Sequence, residues 1–209
     1  MEQIFMNYDF LNVHKIVPVV VINKIEDTIP TLQALSKGGI KVAEITFRTD
    51  CAEEAIKLAC SSKDCQEMLI GAGTVINSDQ CERAIKAGAK FIVSPGFGSD
   101  VAQTCQKYDI PYLPGVCTPT EIMAAKAFGL KILKFFPAGA FGGLKTLKAI
   151  SAAFPDVKFL PTGGVDAENM TDFLTQKFVA AVGGSWMMKG DYSDIERLSR
   201  QAIEKLTSI

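Results

Sequence analysis

Short apolar runs alternate with amphipathic segments from one end of the chain to the other. Eight runs have the length and composition of buried strands: Val17–Ile22, Val42–Phe47, Met68–Ala72, Phe91–Ser94, Tyr112–Pro114, Ile132–Phe135, Lys158–Pro161 and Val179–Gly183. Segments with helical spacing lie between them, among them Asp27–Lys37, Ala52–Ser61, Ser78–Ala87 and Asp166–Thr175. Strands that alternate with helices predict a parallel sheet with right-handed crossovers. The pattern therefore predicts an α/β fold, and eight such units closed on themselves make a (β/α)8 TIM barrel.

A glycine-bearing motif recurs before three of the predicted strands. Gly39, Gly88 and Gly129 each lie between a predicted helix and the strand that follows it. Glycine ends helices in the left-handed conformation that other residues avoid. The spacing from Gly39 to Gly88 is 49 residues and from Gly88 to Gly129 is 41 residues, about two strand–helix units each. This repeat favours the closed barrel over the competing open, doubly wound sheet.

Length and charge narrow the possibilities further. No linker or charge block divides the 209 residues, so residues 1–209 are expected to form a single domain with a short N-terminal helical extension. The 22 basic and 23 acidic residues nearly cancel, which removes the composition argument for nucleic-acid binding. The uncharged stretch Met68–Ser78 has 11 residues and none is longer, too short for a membrane-spanning helix.

The N-terminus and the cysteines bear on the compartment. The first ten residues, MEQIFMNYDF, lack a basic region followed by an apolar core and so do not predict a secretory signal. The six cysteines include no C-x-x-C pair, which disfavours zinc-ribbon and thioredoxin-like sites. We expect reduced thiols that mostly serve packing, and a cytoplasmic protein.

Two predicted strands carry charged residues where a barrel interior should be dry. Alternation along the second strand places Glu44, Thr46 and Arg48 on one face, and Lys134 is the only charge in the apolar segment 132–136. A buried charge costs several kcal/mol unless it is paired or neutralised, on the order of the whole stability of a domain. Either Glu44 and Lys134 form a structural ion pair across the interior, or they belong to an active site.

These residue types fit carbon–carbon bond chemistry. A lysine whose pKa is lowered by burial attacks a carbonyl to form a Schiff base, and the iminium acts as an electron sink. The carboxylate of Glu44 can move the protons, and the planar guanidinium of Arg48 suits a substrate carboxylate. This set needs neither histidine nor metal, which agrees with a sequence whose only histidine is His14.

Two glycine-bearing turns follow the seventh and eighth predicted strands. They are Pro161-Thr162-Gly163-Gly164-Val165 and Val182-Gly183-Gly184-Ser185. In barrels these places hold phosphate through backbone N–H groups and a helix N-terminus. Glycine pairs also serve ordinary tight turns, so the alternative is a structural role.

Seven ordered motifs resemble one known family over about residues 16–190. They are Glu44-Ile45-Thr46-Phe47-Arg48-Thr49, Gly71-Ala72-Gly73-Thr74-Val75, Ser94-Pro95-Gly96, Pro114-Gly115-Val116, Lys134-Phe135-Phe136-Pro137-Ala138, Pro161-Thr162-Gly163-Gly164 and Gly183-Gly184-Ser185-Trp186. The family is the 2-keto-3-deoxy-6-phosphogluconate (KDPG) aldolases, which overlap with the 4-hydroxy-2-oxoglutarate (KHG) aldolases. The resemblance implies a class I, Schiff-base aldolase on a (β/α)8 barrel, usually a homotrimer, in the Entner–Doudoroff and related pathways.

The resemblance also implies roles for individual residues. Lys134 is similar to the Schiff-base lysine and Glu44 to the general acid/base. Arg48 and Thr74 correspond to ligands of the pyruvate carboxylate, and Pro95 shapes that pocket. The phosphate site corresponds to Gly163, Gly164, Gly184 and Ser185. Gly139 departs from the family, where many relatives have an acidic residue; we expect this loop to tune the aldehyde end.

The expected reaction is cleavage of KDPG to pyruvate and glyceraldehyde 3-phosphate, and also of KHG to pyruvate and glyoxylate. The expected partners are a small keto acid, a phosphorylated aldehyde and further copies of the chain, with no metal, cofactor, nucleic acid or membrane. The alternatives are a 2-keto-3-deoxy-6-phosphogalactonate aldolase, a phosphate-binding barrel enzyme with another reaction, and a barrel that only binds sugar phosphates or serves as a scaffold.

Overall fold

The computed structural model describes residues 7–209 and contains nine short strands and nine α-helices in that range. The strands are β1 (Ile16–Val20), β2 (Val42–Thr46), β3 (Leu69–Gly73), β4 (Ile92–Val93), β5 (Tyr112–Leu113), β6 (Gly115–Val116), β7 (Ile132–Phe135), β8 (Lys158–Pro161) and β9 (Val182–Gly184). The helices are α1 (Phe10–Val13), α2 (Thr28–Lys37), α3 (Ala52–Ser61), α4 (Ser78–Ala87), α5 (Ser99–Tyr108), α6 (Pro119–Ala127), α7 (Gly143–Ala153), α8 (Met170–Leu174) and α9 (Tyr192–Leu206).

The strands form a parallel, curled arrangement with helices between them. Six strands hydrogen-bond in the order β5-β4-β3-β2-β1-β9, and three more in the order β6-β7-β8. An isolated parallel bridge between Thr162 and Gly183 joins the end of β8 to β9. The predicted parallel α/β architecture is confirmed and is TIM-barrel-like, whereas closure into eight strands stays a prediction.

Pro114 interrupts the predicted fifth strand and leaves β5 and β6 on either side. Proline has no backbone N–H, so it cannot donate to a strand ladder. Its carbonyl still accepts a hydrogen bond from the Lys134 backbone N–H at 2.8 Å. The chain therefore passes from the six-stranded sheet to the three-stranded sheet at this one residue.

Local predictions differ in accuracy from element to element. Helices α3 and α4 have the predicted bounds, and Gly39, Gly88 and Gly129 have the positive φ angles expected of helix ends. The helix predicted over Asp166–Thr175 is wrong in length, because Asp166 Oδ1 accepts the N–H groups of residues 168 and 169 in a turn before α8. The strand predicted from Val179 begins three residues later, at Val182.

The N-terminal helix and the cysteine side chains bear on two further expectations within the described range. Helix α1 precedes β1, as predicted for the N-terminal extension, although residues 1–6 of the sequence tested for a secretory signal lie outside the described residues. All six cysteines are free thiols. Across residues 7–209, no helix is both long and apolar enough to span a membrane.

The two faces of the sheet differ sharply in composition. Ile45, Ala72 and Ile92 are register partners on the face covered by helices, and all three are buried. The opposite face of the same strands carries Glu44, Gly71 and Gly73. The glycines of β3 leave room on this inner face, and the space beside Gly73 is filled by the Glu44 carboxylate.

Candidate active site

Lys134 and Glu44 lie together in the interior. Lys134 Nζ is 3.3 Å from Glu44 Oε1, and the two residues are 3% and 0% exposed. Lys134 comes from β7 and Glu44 from β2, so their strands belong to different hydrogen-bonded sheets. The predicted contact between the two charged positions is therefore present.

The surroundings of this pair leave one carboxylate oxygen available. Among the described residues, Glu44 Oε2 is buried and has no hydrogen-bond partner. Lys134 Nζ lies 5.2 Å from the centroid of the Phe136 ring, which adds a cation–π contact. A buried acceptor without a partner costs about 1–3 kcal/mol. A ligand with a hydroxyl group would satisfy Oε2 by donating a hydrogen bond to it.

Arg48 and Thr74 meet at the carboxyl ends of β2 and β3. Arg48 Nε donates a hydrogen bond to Thr74 Oγ1 at 3.0 Å. Thr74 has a φ of 56°, an unusual conformation for a β-branched residue and one typical of functional sites. Within residues 7–209, no hydrogen bond engages the terminal Nη atoms of Arg48. The structure brings these two predicted carboxylate ligands together and leaves the guanidinium able to bind an anion.

Pro95 lies against the strand that neighbours Lys134. A Cβ atom at Gly115 would collide with the Pro95 carbonyl and lie 2.8 Å from the Gly96 nitrogen. Gly115 is also the register partner of Lys134. The loop that carries Pro95 thus approaches the lysine closely because residue 115 has no side chain.

The two predicted phosphate turns lie side by side. Gly163 and Gly164 follow β8 with φ angles of 84° and 81°, which only glycine adopts readily. A Cβ atom at Gly184 would lie 3.1 Å from the Val165 carbonyl oxygen, so β9 approaches the first turn closely. Ser185 follows β9 and is exposed. The structure therefore gathers all four predicted residues at one edge of the sheets.

Asn169 supports the first of these turns and is a residue that sequence reasoning missed. Its Nδ2 group donates to the Gly164 carbonyl at 2.9 Å, and its Oδ1 accepts the Asp166 N–H at 3.0 Å. Gly139, where the sequence departs from the family, donates its N–H to the Gly163 carbonyl at 2.8 Å. An asparagine shortly after a glycine pair was the available signal, but it is too common to have been specific.

A cavity of about 650 Å³ opens beside this edge, between the carboxyl ends of β1 and β9. Val19, Asn23, Ser185 and Tyr192 are among the residues that line it. Val19 is the register partner of Glu44, so its side chain shares the inner face with the carboxylate. The cavity thus adjoins the turn that ends in Ser185 and borders a strand neighbour of Glu44, whereas neither Lys134 nor Glu44 lines it.

Comparisons with known proteins agree with this geometry. The sequence model of the KDPG and KHG aldolase family matches residues 8–206. The KHG/KDPG aldolase of Escherichia coli strain K12 is 42% identical over 195 residues, which are 90% of this chain and 91% of that protein.

Two crystal structures are similar over nearly their whole length. The KDPG aldolase of Zymomonas mobilis ZM4, solved with 3-phosphoglycerate, is 37% identical, with 92% of each chain covered and a TM-score of 0.87. The KDPG aldolase of Legionella pneumophila, with pyruvate captured as a covalent carbinolamine intermediate, is 40% identical; 92% of this chain and 95% of that chain are covered, with a TM-score of 0.87.

The match to the family covers nearly all of the sequence, and the relatives are similar in both sequence and fold. The protein therefore belongs to the KDPG and KHG aldolase family and is an aldolase, a lyase.

Proposed function

We propose that this protein is a class I aldolase that cleaves KDPG to pyruvate and glyceraldehyde 3-phosphate. KHG, which gives pyruvate and glyoxylate, is its second substrate. The observation that carries the proposal is the buried Lys134 Nζ, 3.3 Å from a Glu44 carboxylate whose other oxygen is unpaired among the described residues. The carbinolamine in the Legionella relative supports the same covalent route.

Lys134 is the nucleophile in this mechanism. Its amine, after giving a proton to Glu44, attacks C2 of the keto acid to form a carbinolamine. Glu44 passes this proton to the former carbonyl oxygen, then takes a second proton from the substituted nitrogen and gives it to the departing hydroxyl, so that water leaves and the iminium forms. The iminium then accepts the electron pair of the C3–C4 bond while Glu44 removes the proton of the C4 hydroxyl. The aldehyde departs.

The second half of the reaction restores the lysine. Glu44 gives its proton to C3 of the enamine, which becomes the iminium of pyruvate. One water molecule then hydrolyses this iminium and frees pyruvate and the Lys134 amine. The water consumed here balances the water released when the first iminium formed. A single carboxylate serves every proton transfer because it touches the lysine directly.

The remaining site residues orient the substrate. Arg48 and Thr74 bind the pyruvate carboxylate, and Pro95 forms a wall of the same pocket. The phosphate is bound at the other end, by Gly163, Gly164, Gly184 and Ser185. The juxtaposition of these turns supports this assignment, as does the 3-phosphoglycerate in the Zymomonas relative.

The proposal extends to the fold and assembly of the protein. β5 and β6 act as one strand interrupted at Pro114, and with the bridge between Thr162 and Gly183 they complete a closed eight-stranded barrel. Residues 1–209 form one domain. The family resemblance supports a cytoplasmic homotrimer in the Entner–Doudoroff pathway, with no metal because the iminium supplies the electron sink.

Reduction with borohydride in the presence of pyruvate tests the mechanism. We expect a covalent adduct on Lys134 by peptide mass spectrometry, none in Lys134→Ala, and an undiminished adduct in Lys131→Ala, which removes an exposed lysine three residues away. Glu44→Gln should slow turnover by about 10²–10⁴-fold while still permitting some adduct. An adduct on another lysine would refute the mechanism, and appreciable turnover by Lys134→Arg would favour a barrel enzyme with another reaction.

Substrate preference is tested separately. We expect kcat/KM for KDPG to exceed that for KHG, and Ser185→Ala to lower only the value for the phosphorylated substrate. A large preference for KHG, unaffected by Ser185→Ala, would remove the phosphate assignment and leave the lysine chemistry standing.

A further inference from the structure

A buried tyrosine holds the loop that carries Pro95. Tyr112 lies on β5 and is fully buried. Its hydroxyl accepts a hydrogen bond from the Gly98 N–H at 3.3 Å and points toward the Gly96 carbonyl at 3.5 Å. Burial raises the pKa of Tyr112 to about 12, so the hydroxyl keeps its proton at neutral pH and remains able to donate.

Tyr112 reaches this loop from the helix-covered side of the sheet, opposite the face that carries Glu44. Tyr112 is the register partner of Ile92, and Ile92 is the partner of Ala72. These residues belong to the face covered by helices, opposite the face of Glu44 and Gly73. Any effect of the Tyr112 hydroxyl on a substrate must therefore act through the loop.

Ser94 makes a second connection, to the loop that carries Thr74. The Ser94 side chain is buried, and its Oγ donates to the Val75 carbonyl at 2.6 Å. Val75 directly follows Thr74, the residue with a φ of 56° that accepts the hydrogen bond from Arg48. Ser94 directly precedes Pro95. One serine hydroxyl thus fixes the separation of two loops that carry predicted carboxylate ligands.

We propose that Tyr112 and Ser94 are positioning residues that hold Pro95 and Thr74 in place for the carboxylate of the keto acid. This inference rests on the proposed function, since it concerns the carboxylate pocket of the same site. Arg48 then binds the anion in a geometry set by the hydroxyl groups of Tyr112 and Ser94, although neither of these two hydroxyls contacts Arg48. The two hydroxyls act on binding of the keto acid and leave the Lys134–Glu44 chemistry unchanged.

The test is the dependence of borohydride trapping on pyruvate concentration, together with KM and kcat for cleavage. Tyr112→Phe and Ser94→Ala each delete one hydroxyl. Each should raise the half-saturating pyruvate concentration and KM by roughly tenfold, because loss of a buried hydrogen bond frees the loop. The saturating rate should stay within about twofold of wild type.

Ser151→Ala is the matched control. Ser151 is buried on α7, and its hydroxyl also donates to a backbone carbonyl, that of Lys148. This variant loses a comparable hydrogen bond away from the Pro95 and Thr74 loops, so its half-saturating pyruvate concentration should equal that of wild type. Thermal unfolding of all variants, followed by circular dichroism, reports the general cost of each deletion.

The outcomes separate the inference from the proposed function. Three outcomes overturn the inference alone. They are an unchanged KM in both Tyr112→Phe and Ser94→Ala, an increase in the KM of Ser151→Ala as large as theirs, and a fall in their kcat at constant KM. Absence of any adduct on Lys134 in the wild-type protein overturns the proposed function as well. Should Tyr112→Phe fail to fold, the KM of Ser94→Ala alone decides the outcome.

Discussion

A methyl group added at Gly73 should separate Glu44 from Lys134. Gly73 is the last residue of β3 and lies on the inner face beside Glu44. A Cβ atom there would lie 2.6 Å from Glu44 Cδ and closer still to Oε1, the oxygen that contacts Lys134. Real Cβ atoms essentially never approach other atoms within 3.0 Å, so Gly73→Ala requires the carboxylate to move by several tenths of an ångström or more.

The expected loss follows from the role of the displaced group. A general acid/base contributes about 10²–10⁴-fold to a rate, and a displacement of about 1 Å can cost about 10²-fold. We therefore expect kcat of Gly73→Ala to fall by about two orders of magnitude. Overpacking should also cost about 1–3 kcal/mol, which lowers Tm by roughly 2–12 °C in a protein of this size.

Gly71→Ala provides the control for general strain. Gly71 lies on the same strand and the same face, but its added Cβ would meet the Phe91 ring, with Cδ2 at 2.6 Å. This variant should lose similar stability while keeping kcat within about threefold of wild type. Steady-state cleavage coupled to pyruvate detection, with Tm measured in parallel, separates the two effects. Wild-type turnover in Gly73→Ala, or an equal loss in both variants, would refute the reasoning.

Two further predictions concern the phosphate turns and helix α6. Trp186 is the only tryptophan, and its ring lies where a Gly184 Cβ would go. The tryptophan fluorescence should therefore change when the protein is titrated with 3-phosphoglycerate. Gly184→Ala should weaken the binding of 3-phosphoglycerate at least tenfold. An emission spectrum that stays constant at saturating ligand would contradict the assignment of Gly184. The Glu121 side chain accepts the backbone N–H groups of Cys117 and Thr118; burial opposes ionisation, yet these bonds hold the pKa of Glu121 below its ordinary value. A carboxyl group whose pKa is lower in the folded than in the unfolded protein stabilises the fold at any pH above its unfolded pKa. This contribution is lost as the pH falls through the pKa of the folded state. Glu121→Gln should thus lower Tm by a few degrees at pH 7, with the difference shrinking as pH falls below 4.5; a difference that persists in acid would contradict this origin.

Local pattern is enough to predict most elements and the charged pair. Helices α3 and α4 begin and end where apolar spacing and capping residues place them. Lys134 and Glu44 stand out because each is a charge within an apolar strand, and burying such charges apart would be too costly. Where several local signals agree, the folded structure agrees with the prediction.

Local pattern fails where distant contacts override it. In the sequence, the proline at position 114 has the pattern of a strand end. Only the strand pairing of the folded protein shows that a further strand begins at Gly115. The predicted helix at Asp166 shortens because this carboxylate satisfies backbone N–H groups within a turn. Helix and strand propensities take no account of strand pairing or of side-chain hydrogen bonds to the backbone, which decided these two cases.

The sequence by itself determined the parallel α/β architecture, the placement of Lys134 and Glu44 on inward-facing strand positions, and the family. Only the tertiary structure decided how these groups meet, since the two residues lie 90 positions apart and no local periodicity encodes that distance. The same holds for the space that Gly73 leaves for Glu44 and for the hydroxyl of Tyr112 behind the Pro95 loop. Such roles depend on which atoms become neighbours when the sheet curls, and side-chain type alone does not contain that information.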